Sequence, residues 1–537
     1  MKKVQGYDKL RGGYYTPAPV ADFIVRWAVK NPDDQILEPS CGDGSFIRSI
    51  TNQCRKRKKR IPQMVGIELD EAEAKKAEGQ GARIIASDFF TYYEKSIYQK
   101  ATFDVIVGNP PFIRSQNFDE KYREIAFSYM EKEGLHPGRL TNIWIPFLVL
   151  SACALNSDGR LGMVIPAEIM QVDYAAEVRD YLSKKFDRLT IIMFKKLLFP
   201  NAQQEVVLLL GEKNSKQKGI RTIEVNDADS LKSLNVNNIR YEIKELDHSA
   251  EKWTQYLLSS QEIALLRSLR RDERLTHITE LLDVNVGVVS GENDFFLLNE
   301  KARAEYHLYK STEPIVGRAD QLRGIDFTNE DFERLTNAGR KVFLFTPDDQ
   351  DYEQLSNCEK SYIDFGVSQK YNAGYKCKNR RRWYVVPRTW KADAFMLRQV
   401  NRYPRIVFND TDAQNTDTLH KVKFVKGING RTVAAAFLNS FTFALCEIVG
   451  RSYGGGVLTF EPGEVRKIKI PMQNADMLDF VLVDRYVRNG QIDALLEYTD
   501  RILLEQGLGL TYDEVLQLRE IWNRLSNRRI NRKKERE

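Results

Sequence analysis

The chain offers little sulfur chemistry. Its six cysteines, Cys41, Cys54, Cys153, Cys358, Cys377 and Cys446, form no Cys-x-x-Cys pair, and no Cys/His group has zinc-ligand spacing. A structural zinc site is excluded on that ground, and no metal site is expected. Thiols scattered over 537 residues fit a reduced, cytoplasmic protein better than a disulfide-stapled secreted one. No run approaches the ~18–20 apolar residues of a membrane span. Met1-Lys2-Lys3-Val4-Gln5-Gly6 leads into no apolar signal segment. A soluble protein without a membrane partner is expected. Internal repeats are lacking, and no charge sign dominates: 81 Lys and Arg stand against 74 Asp and Glu, a net +7. That small basic excess suits a polyanionic partner without demanding one.

What is present is globular. Hydrophobic residues make up 42% and charged residues 29%, enough for two to four domains with full cores. Val20, Phe23, Ile24, Trp27 and Ala28 mark one apolar helix stripe, and Thr16-Pro17 reads as its cap and first turn. Short apolar runs follow at 35–37, 64–67, 83–86, 103–107, 161–165 and 189–193, with helix-compatible stretches between them. This alternation predicts an α/β fold built on a doubly wound, mostly parallel sheet. A last strand at 205–210 follows too closely for a helical crossover, so antiparallel pairing is expected. Residues 213–250 turn polar, which suggests a boundary; 255–475 are irregular and rich in arginine and aromatics; the rest is helical. The tail from Arg528 is expected to be frayed.

The chemistry concentrates at successive strand ends. Glu38-Pro39-Ser40-Cys41-Gly42-Asp43-Gly44 follows the first strand and opens a helix. Glycines there let a ligand approach the backbone. Glu68 ends the second strand, where a carboxylate can accept both hydroxyls of a ribose. Asp88 ends the third, before Phe89, where an acid beside an aromatic ring suits an adenine. Each acid could instead be an ordinary helix cap; three in succession are less readily so explained. The turn carries Glu38 and Asp43 in place of a Gly-x-Gly-x-x-Gly cradle, which favours a cationic nucleoside over a dinucleotide.

Asn109-Pro110-Pro111-Phe112 follows the fourth strand. The prolines fix φ and remove two N–H donors. The Asn109 amide oxygen and the Pro110 carbonyl remain as acceptors aimed at one NH2 group, and Phe112 offers a face for a planar group. Two such acceptors free the nitrogen lone pair for attack. Catalysis of this kind rests on positioning and acceptor electrostatics.

These motifs resemble the TaqI-like gamma class of adenine-N6 DNA methyltransferases. Gly13-Tyr14-Tyr15-Thr16-Pro17 precedes the glycine turn, and Asn-Pro-Pro-Phe comes after it, in the family's order. Val286-Gly287-Val288-Val289-Ser290-Gly291-Glu292-Asn293 resembles the entry to the family's recognition domain. Arg451-Ser452-Tyr453-Gly454-Gly455-Gly456-Val457 and Ile468-Lys469-Ile470-Pro471 resemble its close. The resemblance implies a seven-stranded Rossmann-like sheet with a last antiparallel strand. It also implies a C-terminal mixed α+β DNA recognition domain and a helical tail. On these terms residues 1–240 are catalytic, 241–475 are linker and recognition domain, and 476–537 are a helical segment with a basic tail. The implied S-adenosylmethionine residues are Tyr15, Thr16, Glu38, Ser40, Cys41, Gly42, Glu68, Leu69, Asp88, Phe89 and Asn109. Asn109, Pro110, Pro111 and Phe112 form the catalytic loop, where Phe112 replaces the family's frequent Tyr; Phe199 is the second ring at a flipped-out adenine.

Residues 371–384 interleave basic and aromatic side chains, so Lys376, Lys378, Arg380, Arg381 and Arg382 are the candidate contacts to double-stranded DNA, with a solvated basic loop as the plainer reading. The longer run at 55–60 is read as solvated surface, away from the cofactor. A monomer is expected, with a separate cognate restriction endonuclease open as partner. With eleven residues before Gly12, no N-terminal nuclease is expected. Methylation of a protein glutamine or of RNA stays open as an alternative, as does a non-catalytic DNA specificity protein.

Overall fold

The computed structural model describes residues 15–113, 117–139, 141–199, 205–238, 240–247, 251–387, 390–452 and 455–534, the side chains of 532–534 excepted. Gly13 and Tyr14 of the first motif, residues 200–204 beside Phe199, and Tyr453 and Gly454 of the distal motif lie outside the described residues. The chain divides into two compact units, one ending at Ile263 and one starting at Ala264.

In the first unit the apolar runs become strands because both faces of the sheet are covered. The strands are β1 (Gln35–Glu38), β2 (Gln63–Glu68), β3 (Arg83–Ala86), β4 (Phe103–Gly108), β5 (Leu155–Pro166), β6 (Arg188–Phe194), β7 (Val206–Glu212) and β8 (Gly219–Val225). Their order in the sheet is β3-β2-β1-β4-β5-β7-β6-β8. Only β7 runs against its neighbours, β5 and β6. Helices α1 (Ala18–Ala28), α2 (Ser45–Lys56), α3 (Glu71–Ala77), α4 (Phe89–Tyr92), α5 (Glu120–Lys132), α6 (Trp144–Ala154) and α7 (Ala176–Lys185) lie between the strands or precede them. The chain runs outward from β1 to β3, then returns to lay β4 on the other side of β1. Ligands of such sheets bind in the crevice at that reversal, beyond the carboxyl ends of the strands.

Three expectations change. The antiparallel strand forms, but it is β7, inserted between β5 and β6, and an eighth strand follows it. Because β7 runs backwards, it returns the chain to the start of β6, where Gly219 N–H donates to Asp187 O at 2.8 Å. A short polar turn then suffices to begin β8 parallel to β6. Gly219 has φ +129°, and a Cβ there would sit 2.3 Å from Lys244 O, so this entry needs glycine. Second, Thr16 does not cap α1: Pro17 holds the N-cap position and no side chain caps the helix. The apolar stripe is as expected, with Val20, Phe23, Ile24 and Trp27 buried. The basic run at 55–60 is exposed; it begins in the last turn of α2 and continues past its end.

The third change concerns the C-terminus. The second unit contains a five-stranded and a four-stranded sheet. Among its helices are Ser440–Val449 and Tyr512–Lys534, so the chain stays helical past Arg528 instead of fraying. Arg529 is buried and pairs with Glu447 at 2.7 Å; it also donates to Gly456 O at 2.8 Å and to Asn401 O. Burial raises the Glu447 pKa, and the guanidinium opposes that rise. Among the described residues no single helix is long and apolar enough to cross a membrane. Breaking one partner of a buried pair strands the other. Arg529→Ala is therefore expected to destabilise the second unit by about 3–5 kcal/mol, read from urea unfolding. A loss under about 1 kcal/mol would show the pair to be dispensable.

Candidate active site

The glycine turn joins β1 to α2. Gly44 takes the left-handed conformation (φ +81°) at the helix N-cap, and a Cβ there would meet Gln80 Oε1 at 2.8 Å. Cys41 N–H donates to Ile67 O at 2.8 Å, which lays the turn across the end of β2. Glu68 then clamps it: Oε2 accepts from Gly42 N–H and Oε1 from Asp70 N–H, both at 2.9 Å. Asp88 stands two residues past β3 and caps α4, accepting from Thr91 N–H at 2.9 Å. Burial raises its pKa despite that bond. A carboxylate oxygen accepts two donors, so backbone anchoring and ligand binding are compatible.

Glu38, the last residue of β1, differs. It is 3% exposed, and its Oε2 has no hydrogen-bond partner. Burial, with Asp43 and Glu68 nearby, pushes its pKa well above the usual value. A buried carboxylate left this way fits a donor or cation supplied by a ligand.

Asn109 follows β4 directly. Its backbone carbonyl accepts from Ser40 Oγ at 3.3 Å, so the glycine turn also holds the Asn-Pro-Pro-Phe segment. Pro110 is buried. Past Phe112 the chain is tied to the start of α6, Ile143 N–H donating to Ile113 O at 3.3 Å.

These strand ends enclose a cavity of about 470 Å³. All eleven residues proposed for a cofactor line it: Tyr15, Thr16, Glu38, Ser40, Cys41, Gly42, Glu68, Leu69, Asp88, Phe89 and Asn109. Its described lining holds seven carboxylates, Glu38, Asp43, Glu68, Asp70, Glu73, Asp88 and Asp119, and no Lys, Arg or His. Tyr15 is exposed, and its hydroxyl reaches the Glu73 carboxylate at 3.2 Å. Thr16, released from capping, lies on the wall. Among the described residues no group of acids, histidines or cysteines has an arrangement that could hold a metal ion.

Several lining residues escaped the sequence reading. Phe147, on α6, stacks on Phe89 with centroids 5.0 Å apart; Ile113, Phe118, Tyr122 and Ile143 also line the cavity. α6 is buried almost all round, so no periodicity distinguishes its cavity face. Pro111 lines the cavity, whereas Pro110, Phe112 and Phe199 do not. Phe112 packs against an apolar cluster that includes Phe199, so the two rings expected at a base share one cluster.

The second unit sorts the five expected DNA contacts into two kinds. Lys376, Lys378 and Arg381 are exposed. Arg380 donates to Val289 O at 2.7 Å and lies over the Phe296 ring. Arg382 is bonded to Asp349 and Asp351.

Comparison with known proteins accords with this geometry. The family model described as N-6 DNA Methylase matches residues 2–264, and that of the Type II methyltransferase M.Eco57I, C-terminal domain, matches residues 250–504. Type II methyltransferase M.AccI of Acinetobacter calcoaceticus is 25% identical, over 91% of this chain and 89% of that protein. Type II methyltransferase M.XamI of Xanthomonas campestris pv. amaranthicola is 22% identical, over 86% and 85%. The Type IIL restriction-modification enzyme MmeI, solved in complex with DNA, shares the fold with TM-score 0.57 at 12% identity, over 95% of this chain and 75% of that one. The chain is thus a methyltransferase of the doubly wound α/β class. Its first part matches the N-6 DNA methylase model, and its second part matches the C-terminal domain of a Type II methyltransferase.

Glu38 yields a test of the electrostatics. A carboxyl whose folded pKa is raised contributes its full stability below the unfolded value, near 4.5, and loses it as pH climbs toward the folded pKa. Glu38→Gln removes that loss. The ligand-free variant is expected to melt above wild type at pH 7–8, with the gap closing as pH falls to the usual value. A gap that stays constant across that range would contradict the assignment.

Proposed function

We propose that this chain transfers a methyl group from S-adenosylmethionine to N6 of an adenine flipped out of double-stranded DNA, acting as a monomeric modification enzyme beside a separate endonuclease. The observation that carries the reading is the acid-lined cavity that reaches Asn109, with no Lys, Arg or His among its described lining residues. Such a lining repels phosphates and suits a ligand bearing a sulfonium and an ammonium. When bound, S-adenosylmethionine supplies an electrophilic methyl group.

The chain's own residues then have separate tasks. Glu38, with its unpaired oxygen, suits the ammonium. Glu68 suits the ribose hydroxyls, and Asp88 beside Phe89 and Phe147 suits the adenine. Thr16, Ser40, Cys41, Gly42, Leu69 and Tyr15 complete the walls. The Asn109 amide oxygen and the Pro110 carbonyl accept both hydrogens of the target amine, which directs its lone pair at the methyl group. Phe112 and Phe199 receive the flipped base; leaving their shared cluster for it is part of binding. The second unit supplies target recognition, with Lys376, Lys378 and Arg381 on phosphates.

The direct test incubates the enzyme with labelled cofactor and plasmid DNA and maps N6-methyladenine. Label confined to protein or RNA would overturn the reading. Asn109→Ala is expected to lower the transfer rate by about 100-fold or more, while S-adenosylmethionine still binds when measured by calorimetry. Near-normal transfer would remove Asn109 from catalysis. Arg381→Ala is expected to lower the slope of log affinity against log salt by about 1; an unchanged slope would place Arg381 off the DNA.

A further inference from the structure

The segment that carries the exposed cations also holds out an aromatic ring. Tyr375 opens the short helix Tyr375–Lys378 and is 83% exposed, the most exposed large hydrophobic side chain among the described residues. A single exposed ring is unremarkable in itself. The support beneath it sets this one apart. Cys377 is fully buried. The stem of Lys376 crosses Gly291 so closely that a Cβ there (φ +84°) would lie 2.7 Å from Lys376 Cβ. Arg380 is bonded to the Val289 carbonyl, and Arg382 to Asp349 and Asp351. The helix is therefore fastened on its inner side while its first ring points away from any core.

Charge identifies what the ring meets. Residues 365–387 contain six Lys and Arg and no Asp or Glu. Glu292 comes to Gly374 on the flank, and Asp349 and Asp351 are engaged by Arg382. Lys376, Lys378 and Arg381, one to six residues along the chain from Tyr375, stay exposed. A planar, hydroxyl-tipped side chain in a segment of exposed cations matches a polyanion with flat, polar-edged bases, that is, duplex nucleic acid.

We propose that Tyr375 is a base-contacting residue of the recognition unit. Lys376, Lys378 and Arg381 hold the flanking phosphates, and Arg380 and Arg382 brace the platform without touching DNA. This rests on the reading that the second unit binds DNA. An anchored ring loses little conformational freedom on contact, so its contribution appears as discrimination between sequences.

The experiment uses the full-length chain and duplexes carrying either the mapped target site or single base-pair changes in it. Tyr375→Ala is expected to cost about tenfold in discrimination between them, with the salt slope and melting temperature unchanged. Tyr375→Phe, which keeps the ring, is expected to discriminate better than Tyr375→Ala. Lys378→Ala should do the reverse, lowering the salt slope by about 1 and leaving discrimination intact. Arg382→Gln should lower the melting temperature and leave the salt slope unchanged. Wild-type discrimination in Tyr375→Ala would overturn the assignment, and so would a reduced salt slope in that variant. Failure of the wild-type chain to methylate DNA at all would instead defeat the underlying reading, before any variant is compared.

Discussion

One carboxylate holds the active site together. Glu68 accepts from Gly42 N–H with one oxygen and from Asp70 N–H with the other. It thereby fastens the turn after β1 to the turn after β2. Parallel register brings the two strand ends side by side, Glu38 opposite Gly66. The same turn reaches the other way, because Ser40 donates to the Asn109 carbonyl. Three strand ends are thus joined through one short loop. The groups that suit a cofactor and the group that suits an amine form one preorganised set, which is what catalysis by positioning needs.

That arrangement concentrates negative charge, and the protein offsets it unevenly. Backbone N–H groups answer Glu68 and Asp88, Arg48 answers Asp43 at 2.8 Å, and Lys76 answers Glu73 at 2.6 Å. Glu38 is left with an oxygen unanswered, and burial holds its pKa high. The offsets keep the cavity folded without filling it with cations. A described lining of seven carboxylates with no Lys, Arg or His among them favours a cation by sign before any shape is considered.

Much of this was legible from residue order alone. Acids at strand ends, glycines after β1 and Asn-Pro-Pro-Phe after β4 are local features, and a parallel sheet brings strand ends together whatever surrounds them. What stayed hidden depends on contacts distant in sequence. β8 follows a polar turn, and it pairs there only because β7 runs backwards and returns the chain to β6. Phe147 sits on a helix buried almost all round, so its cavity face has no pattern. Thr16 looked like a helix cap because a hydroxyl before proline often is one, yet it lies on the cavity wall. Arg529 lies in a run of cations that reads as a frayed tail until Glu447, 82 residues earlier, is placed beside it.

The basic segment of the second unit shows the same limit with a sharper consequence. Five cations in seven residues look equivalent in sequence. Two of them are occupied, because Asp349 and Asp351 face Arg382, 31–33 residues away, and a backbone carbonyl faces Arg380. Arg382, bonded through Nε, Nη1 and Nη2, has no fork left to offer a phosphate, and Arg380 has one edge already committed. Yet neither is idle. An exposed lysine on an unanchored loop would lose conformational freedom on meeting DNA, and the bound arginines remove that cost in advance. Counting positive charge along such a segment therefore overstates the cations available to a polyanion and misses the bracing beneath them.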